Sequence, residues 1–114
     1  MILIISMLML LGGLYMFNII SNRDGDNLTI ELEGTLDTLT APGLKARLTE
    51  ELPGVKNLIF DMEKLEYISS DGLRTLAYAY KIMAGQGSMV VRNVSEDVME
   101  VFEITNFVEF LTIE

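Results

Sequence analysis

The feature that most constrains the fold is an apolar run that leads through a short polar turn into an amphipathic helix pattern. The run NLIFDM at residues 57–62 has the near-continuous hydrophobicity of a central strand that is covered on both faces. Residues 73–84 then repeat apolar side chains at helical spacing. The predicted buried side of that helix consists of Leu73, Leu76, Ala77, Tyr80, Met83 and Ala84. A strand followed so closely by a helix favours an α/β domain.

Strand and helix patterns alternate along the rest of the chain. Residues 28–34 show this clearly, because apolar and polar side chains alternate as on a strand with one wet face. The predicted strands are residues 17–20, 28–34, 57–62, 88–94 and 110–113, and the predicted helices start near Pro42, span 73–84 and begin at Ser95. The predicted order is therefore β-β-α-β-α-β-α-β. A chain of 114 residues is long enough for one such domain with one core.

Charge and composition exclude several classes of function. With 17 acidic and 8 basic residues, the chain has a formal net charge of −9, which repels nucleic-acid phosphates and suits a basic protein partner. It has no cysteine and no histidine, which excludes disulfides, thiolate zinc sites and a Ser-His-Asp triad. We therefore expect no direct nucleic-acid binding, no metal site and no cofactor. The absence of cysteine fits a reducing cytoplasm.

The first 20 residues carry no charge, and the first charged residue is Arg23. Twenty apolar residues are long enough to span a bilayer. However, no basic region precedes them as in a signal peptide, and no cluster of Lys or Arg flanks them. Three interpretations of residues 1–15 stay open: a start site placed too early, a membrane anchor, or an additional buried helix. A start at Met16 would leave a domain of residues 16–114.

Two serines occupy the predicted turn between the central strand and the next helix, in the sequence YISSDGL of residues 67–73. One interpretation is structural, because a serine before a helix accepts a hydrogen bond from a backbone N–H of the first turn. The other is functional. A phosphate at a helix N-terminus meets unpaired N–H groups and a partial positive charge, and it adds a charge of about −1.5 to −2. Gly72 suits both interpretations, because it keeps bulk away from the serines.

The same stretch, continued as YISSDGLRTL, resembles the signature of the STAS domain, in particular that of bacterial anti-sigma factor antagonists (anti-anti-sigma factors). Three longer segments resemble the family in the same order: LTIELEGTLDTLTAPGLKARL at 28–48, LIFDMEKLEYISSDGL at 58–73 and MVVRNVSEDVMEVFEITNFVEFLTI at 89–113. The resemblance covers residues 16–114. It implies a STAS-type mixed β-sheet covered by amphipathic helices.

The resemblance implies a regulatory phosphoprotein. The family's phosphorylated serine lies two residues before the glycine, which is Ser70 here. In the family, the unphosphorylated domain binds an anti-sigma factor that is also a serine kinase, and this frees the sigma factor. Phosphorylation releases the kinase, and a serine phosphatase resets the switch. The implied partner-binding residues are Asp37, Ser69, Ser70, Asp71, Gly72 and Leu73, and the implied structural turn residues are Asp61 and Gly72.

Two positions depart from the usual family pattern. Ser69 stands where aspartate is frequent, and Asp71 stands where a small residue is usual. A carboxylate beside Ser70 would repel an incoming phosphate, so we expect Asp71 to slow phosphorylation.

Two other functions compete with this one. A STAS domain that is never phosphorylated could be an adaptor subunit of a membrane system for lipid or anion transport, which the apolar residues 1–20 would favour. An enzyme with Ser69 or Ser70 as nucleophile lacks a histidine or cysteine, and no spacing of lysines or carboxylates suggests another base. We therefore expect no catalysis, and a cytoplasmic protein unless residues 1–20 anchor it to a membrane.

Overall fold

The computed structural model describes residues 17–114, and it confirms the predicted α/β order of strands and helices. The strands are β1 Phe17–Asp24, β2 Asn27–Leu36, β3 Asn57–Ile68, β4 Ser88–Arg92 and β5 Thr112–Ile113. The helices are α1 Ala41–Glu51, α2 Ser70–Ala84 and α3 Glu96–Ile104, and a short 3-10 helix at Phe107–Glu109 precedes β5. The interpretations of residues 1–15 and of Met16 lie outside the described residues. Between residues 17 and 114, no helix is long and apolar enough to cross a membrane.

The five strands form one mixed sheet in the order β1-β2-β3-β4-β5. β1 runs antiparallel to β2, and the tight turn between them uses Gly25 at a φ of 60°, in the left-handed region that glycine favours. β2, β3, β4 and β5 are parallel neighbours, each joined to the next through a helix. Parallel strands end at the same edge of the sheet. The start of α2 lies at that edge, directly after β3.

One face of the sheet and the inner sides of the helices form the core. The buried residues of the central strands include Leu28, Ile30 and Leu32 of β2 and Leu58, Phe60 and Met62 of β3. The helices contribute Leu44 and Leu48 of α1, Leu76 and Met83 of α2, and Val98 and Phe102 of α3. The prediction that the central strand is covered on both faces was wrong, because Ile59 and Asp61 are only half-buried.

β3 continues to Ile68, whereas the predicted strand ends at residue 62. Its pairing with β2 shifts register at two places after Glu31, and each shift inserts one extra residue into β3 as a β-bulge. Buried side chains therefore recur at Leu65 and Ile68, every third position instead of every second. The alternation on which the prediction depended is lost there. β1 is also longer than predicted, and β4 and β5 are shorter.

Helix α2 buries Leu73, Leu76 and Met83 as predicted, but its buried side is rotated from the predicted one. Its buried residues are Gly72, Leu73, Thr75, Leu76, Ala79 and Met83. Ala84, predicted to be buried, is exposed, and Ala77 and Tyr80 are half-buried. The prediction missed Thr75 because it is polar. Its hydroxyl donates to the carbonyl oxygen of Asp71 at 3.1 Å, so burial leaves no unpaired group.

Candidate functional site

Ser69 joins the end of β3 to the start of α2. Its backbone is extended, with φ −96° and ψ 177°, and its Oγ accepts a hydrogen bond from the backbone N–H of Gly72 at 3.4 Å. Its own N–H donates to the carbonyl oxygen of Leu36, the last residue of β2, at 2.9 Å. Ser69 is therefore the N-cap of α2, and it also attaches the start of that helix to the neighbouring strand.

Ser70 is the first residue of α2 and is exposed, in contrast to the half-buried Ser69. The hydroxyl of Ser69 is engaged by the helix, whereas Ser70 lies at the surface. The first N–H groups of a helix have no partner within the helix, and their partial positive charge favours anions. Of the two serines, Ser70 is the one that the structure leaves accessible for modification.

Gly72 and Leu73 lie beneath this surface. A Cβ added to Gly72 would lie 2.7 Å from the Cγ1 of Ile68 and 2.9 Å from both the Cγ and the carbonyl oxygen of Leu36. The helix can approach the end of β2 this closely only because residue 72 has no side chain. Leu73 is 5% exposed and packs into the core. Gly72 and Leu73, both predicted to bind the partner, are buried and support the site from inside.

Asp37 begins the turn that connects β2 to α1. Its Oδ1 accepts hydrogen bonds from the backbone N–H groups of Leu39 at 2.9 Å and Thr40 at 3.1 Å. The Thr40 hydroxyl in turn accepts from the N–H of Asp37 at 2.8 Å and donates to the carbonyl oxygen of Thr35 at 2.7 Å. These bonds form a side-chain-stabilised turn. The Asp37 carboxylate therefore fixes the shape of the loop that stands beside the serines.

Asp71 connects that loop to α2. The hydroxyl of Thr38 donates to its Oδ2 at 2.6 Å, and the guanidinium of Arg74 pairs with its Oδ1 at 2.9 Å. Both carboxylate oxygens are thus occupied, although the side chain is 35% exposed. The sequence analysis named Asp71 but missed Thr38 and Arg74. The spacing of Asp71 and Arg74, three residues apart on a helix, was the available signal for the ion pair; Thr38 carried none.

The same residues border an open groove of about 260 Å³ between the starts of α1 and α2. Its lining consists of Thr38, Ala41, Pro42, Lys45, Asp71, Arg74 and Thr75. Two large apolar side chains are exposed in the segments that lead to this site: Leu39 in the Asp37 turn, at 66%, and Tyr67 at the end of β3, at 53%. Exposed apolar side chains beside polar groups are typical of surfaces that bind proteins.

Asp61 lies away from the serines and inside β3, so the expectation of a turn residue at the end of the central strand was wrong. Its Oδ1 accepts from the backbone N–H of Glu63 at 3.1 Å and from the Nδ2 of Asn93 at 3.1 Å. Glu63 lies where the register of β3 shifts, and Asn93 follows β4 with a φ of 57°. Asp61 therefore stabilises the bulge and ties it to the exit of β4. No group of acidic side chains that could hold a metal ion occurs among residues 17–114.

A family model of the STAS domain matches residues 18–114. BtrV of Bordetella bronchiseptica, which is named as an anti-sigma factor antagonist, is 33% identical over 84 residues, covering 72% of this chain and 72% of BtrV. The anti-sigma-B factor antagonist of Listeria monocytogenes is 31% identical over 99 residues, covering 83% of this chain and 85% of that protein.

Solved structures share the fold. The anti-sigma factor antagonist from Mycobacterium paratuberculosis superposes with a TM-score of 0.81 at 17% identity, over 90% of this chain and 89% of that chain. The Bacillus cell fate determinant SpoIIAA in its phosphorylated form superposes with a TM-score of 0.66 at 19% identity, over 87% of this chain and 91% of that chain. At these identities the likeness establishes the fold alone.

Proposed function

The chain belongs to the STAS domain family, and from this membership we propose that it acts as an anti-sigma factor antagonist controlled by phosphorylation of Ser70. In this proposal, the unphosphorylated protein binds an anti-sigma factor with serine kinase activity and so makes the sigma factor available. The kinase transfers phosphate from ATP to Ser70, the complex dissociates, and a serine phosphatase restores the antagonist. The protein itself performs no catalysis.

The observation that carries the proposal is the different use of the two adjacent serines. Ser69 caps α2, so a phosphate on its oxygen would disrupt the cap. Ser70 is exposed, and a phosphate there would lie beside the unpaired N–H groups of the first turn, which stabilise anions. One hydroxyl therefore stabilises the start of the helix, and its neighbour is available for a switch. In SpoIIAA, the same fold exists in a phosphorylated form.

A phosphate on Ser70 would change the surface through which we propose that the partner binds. Exposed apolar area is available on Tyr67, three residues before Ser70, and on Leu39, which follows Thr38, the hydrogen-bond partner of Asp71. A phosphate adds a charge of about −1.5 to −2, which loses its hydration if the partner covers it and repels acidic groups. In this proposal, the surface binds the partner when unmodified and releases it once Ser70 carries the phosphate.

The direct test is intact-mass analysis of the chain incubated with ATP and a candidate anti-sigma factor kinase. We expect one added phosphate on the wild type and on Ser69→Ala, and none on Ser70→Ala. Ser69→Ala is the matched control, because it removes the neighbouring hydroxyl and leaves the proposed acceptor. Calorimetric titration with the same kinase, without ATP, then compares the unmodified and phosphorylated proteins. A phosphate that persists on Ser70→Ala, or a phosphorylated protein that binds the kinase unchanged, would contradict the proposal.

An adaptor role in a membrane system for lipid or anion transport is the second candidate, and the uncharged residues 1–20 favour it. This role predicts that the full chain sediments with membranes and that Ser70→Ala changes nothing. The kinase proposal predicts instead that Ser70→Ala prevents release of the partner in the presence of ATP, because the proposed phosphate acceptor is gone.

A further inference from the structure

We propose that Arg74 is a counter-ion shared between Asp71 and a phosphate on Ser70, so that phosphorylation transfers Arg74 from the carboxylate to the phosphate. This inference rests on the proposed function only in that Ser70 is the modified residue. It identifies a positioning residue that offsets the unusual carboxylate beside the phosphate acceptor.

Helix geometry places Arg74 within reach of both groups. Arg74 follows Asp71 by three residues and Ser70 by four, and both spacings bring side chains together on a helix. In the unmodified protein its Nη1 lies 2.9 Å from the Asp71 Oδ1, and its side chain is 78% exposed. An exposed guanidinium has the rotational freedom to exchange one anion for the other without disturbing the core.

The charges favour this exchange. A phosphate carries about −1.5 to −2 and three acceptor oxygens, whereas a carboxylate carries −1, so an arginine gains more from the phosphate. Asp71 also keeps a partner when Arg74 leaves, because the Thr38 hydroxyl donates to its other oxygen at 2.6 Å. Without Arg74, the phosphate on Ser70 and the carboxylate of Asp71 would repel each other with no cation to offset the repulsion.

Lys45 provides the control for a general effect of positive charge. It lines the same groove as Arg74 and Asp71, but its Nζ lies 5.0 Å from the centre of the ring of Tyr78, which is one helical turn further along α2 than Arg74. Removal of Lys45 therefore changes the net charge by the same amount as removal of Arg74. It leaves the proposed exchange intact.

The test measures the phosphate itself. Phosphoserine is placed at position 70 by translational incorporation, and ³¹P NMR follows its second ionisation, whose ordinary pKa is about 6. A neighbouring cation favours the dianion and lowers this pKa. We expect Arg74→Gln to raise it by about half a unit, a threefold change in the ionisation constant, and Lys45→Gln to raise it much less. In the Asp71→Asn background, where the carboxylate no longer competes, Arg74→Gln should have a larger effect.

Two results would overturn the inference. Equal shifts from Arg74→Gln and Lys45→Gln would reduce the effect to net charge, and equal effects of Arg74→Gln with and without the Asp71 carboxylate would exclude competition. Because the phosphate is installed without a kinase, these results are separate from the test of the proposed function. A protein that no kinase modifies would still report whether Arg74 contacts the phosphate. The far-UV circular dichroism of each variant verifies that α2 remains folded.

Discussion

Gly72→Ala is the substitution for which the structure makes the sharpest stability prediction. The added Cβ would meet the Cγ1 of Ile68 at 2.7 Å and the Cγ and carbonyl oxygen of Leu36 at 2.9 Å. Side-chain carbons can rotate away, but the Leu36 oxygen belongs to the backbone of β2. That oxygen also accepts the hydrogen bond from the N–H of Ser69. The clash can therefore be relieved only if the start of α2 moves away from the sheet.

Two opposing terms set the magnitude. Overpacking in a tight interior costs about 1–3 kcal/mol, and a backbone contact places this site near the upper end. Alanine in place of glycine within a helix returns about 1 kcal/mol. The net expectation is a loss of about 2 kcal/mol in the free energy of unfolding. For a urea m-value of about 1–2 kcal/mol/M, the unfolding midpoint falls by about 1–2 M.

Gly43→Ala is the matched control, because Gly43 lies in α1 and, apart from its chain neighbours and the nearby backbone of its own helix, no atom lies within 4 Å of its added Cβ. Here only the helix preference acts, so the free energy of unfolding should rise by up to about 1 kcal/mol. Urea unfolding followed by circular dichroism compares both variants with the wild type. A Gly72→Ala protein as stable as the wild type would refute the steric reasoning. Equal losses from both substitutions would attribute the effect to something other than the contact with β2.

Two further predictions concern the cap and the exposed apolar side chains. Ser69→Ala should lower the free energy of unfolding by about 1 kcal/mol in urea unfolding, because the Gly72 N–H loses its acceptor; an unchanged midpoint would mean that the 3.4 Å bond contributes nothing. Tyr67→Ala and Leu39→Ala should each weaken binding of the unmodified protein to the proposed anti-sigma factor partner by about tenfold or more in calorimetric titration, with little effect on stability, since both side chains are exposed. Unchanged affinities would place the partner on another surface.

The sequence predicted the order of elements because most of them keep a simple period. Residues 28–34 alternate regularly, and the structure buries Leu28, Ile30 and Leu32 as expected. The prediction for β3 fails after Asp61, because two bulges change the spacing of its buried residues from two positions to three. Such bulges depend on the pairing with β2, which lies far away in sequence. No local pattern could have revealed them.

In the candidate site too, local features could be predicted from the sequence and long-range contacts could not. The cap at Ser69 follows local rules, and the sequence analysis anticipated a serine cap there, although it started the helix at Leu73 instead of Ser70. The bond between Thr38 and Asp71 joins residues 33 positions apart, and it exists only because the sheet brings the end of β2 beside the end of β3. The ion pair between Arg74 and Asp71 could have been predicted from their spacing. Its proposed role also depends on the hydrogen bond from Thr38 to the other oxygen of the Asp71 carboxylate.

The rigid support beneath Ser70 determines how a phosphate there could act. The start of α2 is fixed by the bond from the Ser69 N–H to Leu36 and by the close contact of Gly72 with the same residue. Movement of this helix end would break both contacts, so a phosphate has little freedom to displace it. A phosphate on Ser70 would therefore change the charge of the surface more than its shape. The exposed side chain of Arg74 would respond by turning from the Asp71 carboxylate to the phosphate. The proposed partner would respond to the added charge.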